Sequence, residues 1–289
     1  MENQEKYLVI GGDGVLGQAM RAISVNFNAT FVFTSRLTTG LPLNTVHLDL
    51  ATNFTEFRFS EYSAVIYLAQ SREYRNFPLG LSDLSRINII APAVIAEKLH
   101  DLGIKFIYCS SGSVYEPCKS LISEKNALKS SNNWDTYSAS KILAESAILN
   151  ISSNNLVLRP FFIFGQSKRN YSLMPVLLDR LRNNNEITLA GNEGLIFNPI
   201  YSHDAALAIC HLLAAGEHGV YNLSGSECIS LKKLVDTLGL FFEITPKYRN
   251  LDSEETMLGD NSKLISTGFK FEGNLEEKLK SYFSELKLP

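Results

Sequence analysis

The sequence predicts an α/β protein built on a doubly wound parallel sheet, followed by a smaller C-terminal lobe. Three observations carry this prediction. Short apolar runs rich in β-forming residues alternate with helical patterns over roughly the first 160 residues, a glycine-rich turn joins the first strand to the first helix, and the alternation loosens after about residue 165. Helices connecting successive strands in one direction require a parallel sheet with both faces covered.

The predicted elements follow one another in a regular order. A buried strand ends at glycine or polar residues, and an amphipathic helix follows; the second long helix, for example, ends at Gly103. The predicted strands are Tyr7–Ile10, Thr30–Thr34, Val65–Ala69, Ile104–Cys109 and Leu156–Leu158, and the predicted helices are Val15–Ile23, Ala91–Leu102 and a helix from near Tyr137 to about Asn150.

Size and composition exclude several classes of protein. The chain has 289 residues, 45% of them hydrophobic and 20% charged, which suits a globular protein with an ample core. A net charge of -3 argues against nucleic-acid binding, which needs a basic surface. No apolar run is long enough for a membrane helix, and the N-terminus lacks the shape of a signal peptide. The four cysteines form no CxxC pair, so we expect reduced thiols, a cytoplasmic location and no metal site.

The turn after the first strand has the composition of a phosphate-binding loop. Gly11, Gly14 and Gly17 form a GxxGxxG pattern, with Val15 and Leu16 at the start of the helix. Glycines allow a tight turn and a close approach of the backbone to a pyrophosphate, and the helix N-terminus presents free N–H groups. The pattern therefore predicts a dinucleotide site formed by these five residues.

The end of the second strand indicates which dinucleotide is bound. NAD-binding proteins usually carry an acid there, whereas a cation accommodates the extra phosphate of NADP. Here the strand ends in Ser35 and Arg36, so we expect NADP as the cofactor, with NAD also possible. Asp49 and Leu50 follow another apolar strand and are placed to contact the adenine.

A tyrosine and a lysine are the main candidate catalytic residues. Tyr137 and Lys141 are four residues apart and share one face of a predicted helix. The lysine can hold a nicotinamide ribose and favour the tyrosinate, which makes Tyr137 a candidate general acid–base. Ser111 lies just beyond a buried strand, at the sheet edge where ligands bind, and can hydrogen-bond the substrate oxygen.

Together these motifs resemble the extended short-chain dehydrogenase/reductase superfamily, and within it the NAD-dependent epimerase/dehydratase family. The resemblance covers nearly the whole chain. The residues that carry it are the glycine turn, Leu68-Ala69, Asn88, Ser110-Ser111-x-x-Val114-Tyr115, Tyr137-x-x-x-Lys141, Leu158-Arg159-Pro160, Asn198-Pro199-Ile200-Tyr201-x-x-Asp204, Tyr221-Asn222-Leu223, Asp260 to Leu264 and Thr267-Gly268-Phe269.

The resemblance implies the fold, the domains and further site residues. It implies a Rossmann domain over residues 1–165 that binds NAD(P), with returning elements near 195–215, and a lobe over 166–289 that mainly binds substrate. Ser111, Tyr137 and Lys141 would be catalytic, and Leu68 and Ala69 would contact the cofactor. Asn88, which we also place in the cofactor site, would be a structural or proton-relay residue.

Two departures from the family narrow the expected chemistry. Nucleotide-sugar dehydratases carry an Asp-Glu pair where this chain has Gly112 and Ser113, so 4,6-dehydration is not expected. GDP-fucose synthases use a Cys and a His at positions that align with Ser113 and Ser167, neither of which is a good carbon base. Hydride transfer at a secondary alcohol or ketone is the chemistry that remains.

The substrate would be a small molecule, a nucleotide-linked sugar. Ser111 and Ser113 would face the sugar, and a basic group at Lys168, Arg169, Arg180 and Arg182 would face the diphosphate, with Lys168 and Arg180 as the principal contacts. We expect a reductase or a 4-epimerase, a homodimer, and neither nucleic-acid nor membrane partners. Two alternatives stay open: a dehydrogenase of a non-nucleotide ketone or alcohol, and a non-catalytic dinucleotide-binding regulator or scaffold.

Two smaller expectations concern residues outside the motifs. Phe161, Phe162 and Phe164 are predicted to be core residues, of which one can face the pocket. Asp204 is predicted to cap a helix rather than to bind a metal with His203.

Overall fold

The computed structural model describes residues 5–52, 54–76, 78–166 and 172–286. The strands are β1 (Lys6–Ile10), β2 (Thr30–Ser35), β3 (Thr45–His47), β4 (Ala64–Tyr67), β5 (Lys105–Cys109), β6 (Leu156–Pro160), β7 (Ile163–Phe164), β8 (Ile187–Ala190), β9 (Ile196–Phe197), β10 (Ile200–Tyr201), β11 (Gly219–Leu223), β12 (Ile229–Ser230), β13 (Tyr248–Leu251) and β14 (Thr256–Met257). The helices are α1 (Val15–Ile23), α2 (Leu81–Ser85), α3 (Ala91–Asp101), α4 (Thr136–Ile151), α5 (Leu173–Arg182), α6 (Ser202–Ala214), α7 (Leu231–Phe242), α8 (Ser262–Ser266) and α9 (Leu275–Leu286).

A parallel sheet forms the centre of the molecule. Within the described residues it has seven strands in the order β11-β6-β5-β4-β1-β2-β3, and every pairing between neighbours is parallel. The chain runs outward from β1 to β3 and then crosses back to β4 on the other side of β1. Loops after β1 and β4 therefore diverge at the carboxyl edge and leave a crevice between them, which is where such sheets bind ligands.

Helices cover both faces of this sheet. Alternate residues of β1 point to opposite faces, so that Tyr7 and Val9 pack with α1 and α6 while Leu8 and Ile10 pack with α3 and α4. The predicted doubly wound Rossmann architecture is confirmed. Both faces are apolar because both are covered by helices.

A second cluster of apolar residues lies in the C-terminal part of the chain. It joins α5, α7 and α9 with β8 and with Phe197 of β9, and its centre includes Leu189, Leu238 and Phe283. The chain also returns to the main sheet, because α6 packs against α1 and β11 extends the sheet beyond β6.

The structure differs locally from several expectations. The strand predicted at Val65–Ala69 ends at Tyr67, and Leu68 and Ala69 lie in the loop that follows it. Asp204 does not cap α6; it lies in the first turn, and its carboxylate pairs with Lys278 Nζ at 2.7 Å. No helix in the described parts of the chain combines the length and apolarity that crossing a membrane requires.

Candidate active site

The glycine turn lies at the carboxyl end of β1 and has the shape of a phosphate cradle. Gly11 has a φ of +95°, and a Cβ there would lie 2.7 Å from Ala69 N; a Cβ on Gly17 would lie 2.5 Å from Gly11 O. Gly14 precedes α1, so no side chain caps the first N–H groups of the helix. These N–H groups and the bare backbone fit a pyrophosphate, which both the geometry and the helix dipole favour.

A cavity of about 1170 Å³ opens from this turn. All the cofactor-binding residues predicted from the sequence line this cavity, except Asn88 and Lys141. Those that line it are Gly11, Gly14, Val15, Leu16, Gly17, Ser35, Arg36, Asp49, Leu50, Leu68, Ala69 and Tyr137. The cavity spans the distance from the strand that ends at Ser35 to the hydroxyls of Ser111 and Tyr137, as an extended dinucleotide requires.

The candidate catalytic residues come from two elements that meet at the carboxyl edge. Asp135 caps α4 by accepting a hydrogen bond from Ser138 N at 2.9 Å, which places Tyr137 in the first turn of the helix. Ser111 follows β5, and both Ser111 and Tyr137 line the cavity. Lys141 lies one turn further along α4, with its Nζ 5.9 Å from the centre of the Tyr137 ring.

Burial shifts the pKa values of both Tyr137 and Lys141. It raises the pKa of Tyr137 above its ordinary value, while a hydrogen bond with Ser111 acts in the opposite direction. The net direction is opposite to the lowered pKa of Tyr137 that the sequence predicted, because desolvation outweighs the influences that favour the tyrosinate. Burial also lowers the pKa of Lys141 to about 8, against the neighbouring Cys109 and Glu145, which raise it. Tyr137 is therefore protonated at neutral pH in the structure described.

Lys141 and Asn88 lie behind the cavity wall. The Lys141 ammonium donates a hydrogen bond to Cys109 O at 2.9 Å. Asn88 is fully buried in a π-helical turn; its Oδ1 accepts from Ser71 N at 2.9 Å and its Nδ2 donates to Ser140 Oγ at 3.1 Å. These two hydrogen bonds tie the loop after β4 to α4, so the contacts of Asn88 in the structure are structural.

Ser113 supports Ser111 rather than facing the cavity. Its backbone N–H and its hydroxyl both donate to Ser111 Oγ, at 3.1 and 3.0 Å. With two hydrogen bonds accepted, the Ser111 oxygen is oriented and its own proton is left to point towards an acceptor.

The loop after β4 contributes residues that the sequence motifs did not indicate. The hydroxyl of Tyr137 donates to Gln70 Oε1 at 3.4 Å, and the ring of Tyr74 contacts the Tyr137 ring with centres 5.0 Å apart. Gln70 directly follows the Leu68-Ala69 motif, which is the one signal for it in the sequence. Nothing in the local pattern distinguishes Tyr74.

The basic side chains that were predicted to bind the diphosphate do not come together at the described cavity. Arg180 is exposed and donates to Glu186 O at 3.0 Å, and the Arg182 guanidinium lies 5.5 Å from the Phe242 ring centre, on the C-terminal cluster. Ser167, Lys168 and Arg169 lie outside the described residues. The cations that line the cavity in the described part of the chain are Arg36, Arg72 and Arg86.

One of the three candidate phenylalanines faces the cavity. Phe162 lines it together with Ile163, and its backbone has a φ of +46°, an uncommon conformation for a bulky residue. Phe161 and Phe164 are buried in two different apolar clusters. The chain immediately after Pro160 thus forms the wall opposite the glycine turn.

Fold and site together define an α/β enzyme of the dinucleotide-binding class, with serine, tyrosine and lysine at the carboxyl edge of the sheet. Residues 7–224 match the model of the NAD dependent epimerase/dehydratase family. The chain belongs to this family.

Comparisons with individual proteins agree with that assignment. The chain is 27% identical over 161 residues to the dTDP-4-dehydro-6-deoxyglucose reductase of Escherichia coli, a match that covers 52% of this chain and 50% of that reductase. The chain thus spans about half the length of this curated relative.

Solved structures share the fold over nearly the whole chain. The UDP-glucuronic acid 4-epimerase of Bacillus cereus, in complex with UDP-glucuronic acid and NAD, is 18% identical with a TM-score of 0.80, over 97% of this chain and 99% of that one. A dTDP-4-dehydrorhamnose reductase of Clostridium acetobutylicum is 16% identical with a TM-score of 0.79, over 98% and 100% of the two chains.

Proposed function

We propose that this protein reduces a carbonyl group on a nucleotide-linked sugar with NADPH or NADH. One observation carries the proposal: the hydroxyls of Ser111 and Tyr137 face the same cavity as the glycine turn, with Lys141 beneath Tyr137. When bound, the dinucleotide supplies the hydride. The protein must then bind the sugar carbonyl and deliver a proton to its oxygen.

The protonation of the site is compatible with reduction. Because burial raises the pKa of Tyr137, its phenol is held in the acid form that can protonate a carbonyl oxygen. Ser111, oriented by the two hydrogen bonds from Ser113, donates to the same oxygen as negative charge develops on it. Lys141, mostly protonated near pH 7, stabilises the tyrosinate that remains.

The residues beside Ser111 argue against dehydration. Water elimination needs a carboxylate pair here, and the chain has Gly112 and Ser113 instead. A Cβ on Gly112 would lie 2.9 Å from carbons of the buried Phe161 ring, so an aspartate fits only if that ring moves. We therefore propose that the protein is not a 4,6-dehydratase.

The proposed substrate class is supported by one relative. The E. coli relative is named as a reductase of dTDP-4-dehydro-6-deoxyglucose, so we propose a 4-keto-6-deoxy sugar linked to a nucleoside diphosphate. Arg36 supports NADPH, since a guanidinium at the end of β2 can pair with the 2′-phosphate. Lys168 and Arg180 remain the predicted diphosphate contacts, although Arg180 does not line the described cavity.

The test is oxidation of NADPH and NADH, followed by absorbance, with a panel of dTDP-, UDP-, GDP- and CDP-linked 4-keto sugars. We expect turnover with at least one, and a loss of about 10²–10⁴-fold in Tyr137→Phe, because the variant lacks only the proton donor. Cofactor binding should be nearly unchanged in this variant.

Two results would contradict the proposal. Turnover of Tyr137→Phe within threefold of the wild type would remove Tyr137 from its role. Dinucleotide that copurifies tightly, together with interconversion of two sugar epimers and no net oxidation of added NADPH, would identify an epimerase instead.

A further inference from the structure

The adenosine end of the cavity contains an acid that the sequence pattern did not indicate. In this fold the acid that binds the adenosine ribose stands at the end of β2, about 20 residues after the glycine turn. Here that position holds Ser35 and Arg36. Asp13, which directly precedes Gly14 in the glycine turn, lines the cavity together with Ser35 and Arg36.

The Asp13 side chain reaches the end of β2. Ser35 Oγ donates a hydrogen bond to Asp13 Oδ2 at 3.3 Å, and Leu37 N donates to Ser35 Oγ at the same distance. The turn itself is fixed, since Gln18 Nε2 donates to Asp13 O at 3.2 Å. Asp13 is therefore placed beside the end of β2 by the backbone of the glycine turn and by Ser35.

The cavity near the end of β2 carries both negative and positive side chains. Burial lowers the pKa of Arg21 below its ordinary value, and the Asp13 carboxylate acts in the opposite direction. Arg21 itself is occupied: it lies 4.0 Å from the centre of the Phe33 ring and donates to Leu43 O. Asp13 and Arg36 are both exposed at the cavity and carry opposite charges.

We propose that Asp13 takes over the missing acid of β2, binds the ribose hydroxyls of NADH, and opposes the preference for NADPH that Arg36 creates. A carboxylate accepts hydrogen bonds from a ribose diol and repels a 2′-phosphate, whereas a guanidinium does the reverse. The ratio of the two affinities is then set by two residues from different loops. This inference rests on the proposed function only in requiring that a nicotinamide dinucleotide is bound.

The experiment measures binding and not turnover. NADH and NADPH are titrated into the ligand-free protein, and dissociation constants are read from nucleotide fluorescence. Glu97→Gln is the charge-matched control, because Glu97 is exposed on α3 and does not line the cavity.

We expect Asp13→Asn to shift the ratio of the two constants towards NADPH by about tenfold, the effect of losing one charge-assisted hydrogen bond and one repulsion. Arg36→Ala should shift it the other way, and Glu97→Gln should leave it within twofold. A second variant, Asp13→Ala, should reproduce the shift of Asp13→Asn.

The outcomes separate the two proposals. If both dinucleotides bind and the ratio in both Asp13 variants stays within twofold of the wild type, the role of Asp13 is refuted and the proposed reductase is untouched. If neither dinucleotide binds the wild type, the proposed function fails, and the role of Asp13 fails with it.

Discussion

Lys141→Met should stabilise the fold while weakening the site. Lys141 is 2% exposed, and its ammonium donates a hydrogen bond to Cys109 O. Burial lowers its pKa from 10.5 to about 8, which means that the fold binds this proton less well than the unfolded chain does. Methionine has a similar unbranched stem and carries no charge, so it can keep the packing without the desolvated ammonium.

The size of the effect follows from the pKa. At about 1.4 kcal/mol per pKa unit, holding the charged lysine in the fold costs about 3 kcal/mol at pH 7. The variant also loses the hydrogen bond to Cys109 O, which offsets roughly 1–2 kcal/mol of this gain in stability. The net expectation is a gain of about 1–2 kcal/mol in the free energy of unfolding. For a chain of this length that raises Tm by roughly 2–3 °C.

The pH dependence has a definite sign. Because the pKa of Lys141 is lower in the fold, the folded protein releases this proton first as pH rises through about 8. This group therefore makes the stability of the wild type rise with pH between about 8 and about 10.5, the ordinary lysine pKa, and it makes no such contribution in the variant. The advantage of Lys141→Met should shrink over that range.

Denaturant unfolding at pH 7 and pH 9.5, without dinucleotide, measures both effects. Lys119→Met is the control: Lys119 is 83% exposed, its ion pair with Glu254 is a surface pair, and the change should stay within about 0.5 kcal/mol. Dinucleotide affinity should fall in Lys141→Met. A variant less stable than the wild type at pH 7, or an advantage that does not shrink with pH, would refute the reasoning.

Two further predictions test the cradle and the buried ion pair. Gly17→Ala should weaken dinucleotide binding by at least about tenfold, measured by fluorescence titration, because its Cβ would press on the backbone of the turn 2.5 Å away; unchanged affinity would show that the turn adjusts freely. Glu145→Gln should destabilise the protein by about 3–5 kcal/mol in denaturant unfolding, because it leaves the guanidinium of Arg159, now 2.6 Å from Glu145 Oε2, buried without a counter-charge. The same change at the exposed Glu254 should cost at most about 1 kcal/mol, and equal effects at the two sites would contradict this account.

The sequence by itself determined the sheet and the elements that carry the chemistry. The spacing of apolar residues and the positions of turn residues indicate whether a segment is a strand or a helix. The alternation of strands and helices then predicts a parallel, doubly wound sheet. The four-residue spacing places Tyr137 and Lys141 on one helix face wherever the helix lies. The glycine turn is equally local, because the backbone of Gly11 and the start of α1 are neighbours in the chain.

The tertiary structure alone decided which distant side chains meet at the cavity. Arg180 lies near other basic residues in the sequence, yet α5 packs its apolar face inward and leaves Arg180 exposed, where it donates to Glu186 O in the loop after the helix. Gln70 and Tyr74 reach Tyr137 across more than sixty residues, and Asp13 reaches Ser35 across 22. Such contacts depend on the paths of loops, which neither period nor composition specifies.

The same distinction applies to protonation. From the sequence, a tyrosine one helical turn from a lysine is expected to have a lowered pKa. In the fold, burial removes both side chains from water and disfavours both charged forms, so the pKa of Tyr137 is raised and that of Lys141 lowered. The spacing determined that the two residues are neighbours; the depth at which the sheet and α4 bury them determined the direction in which each pKa is shifted.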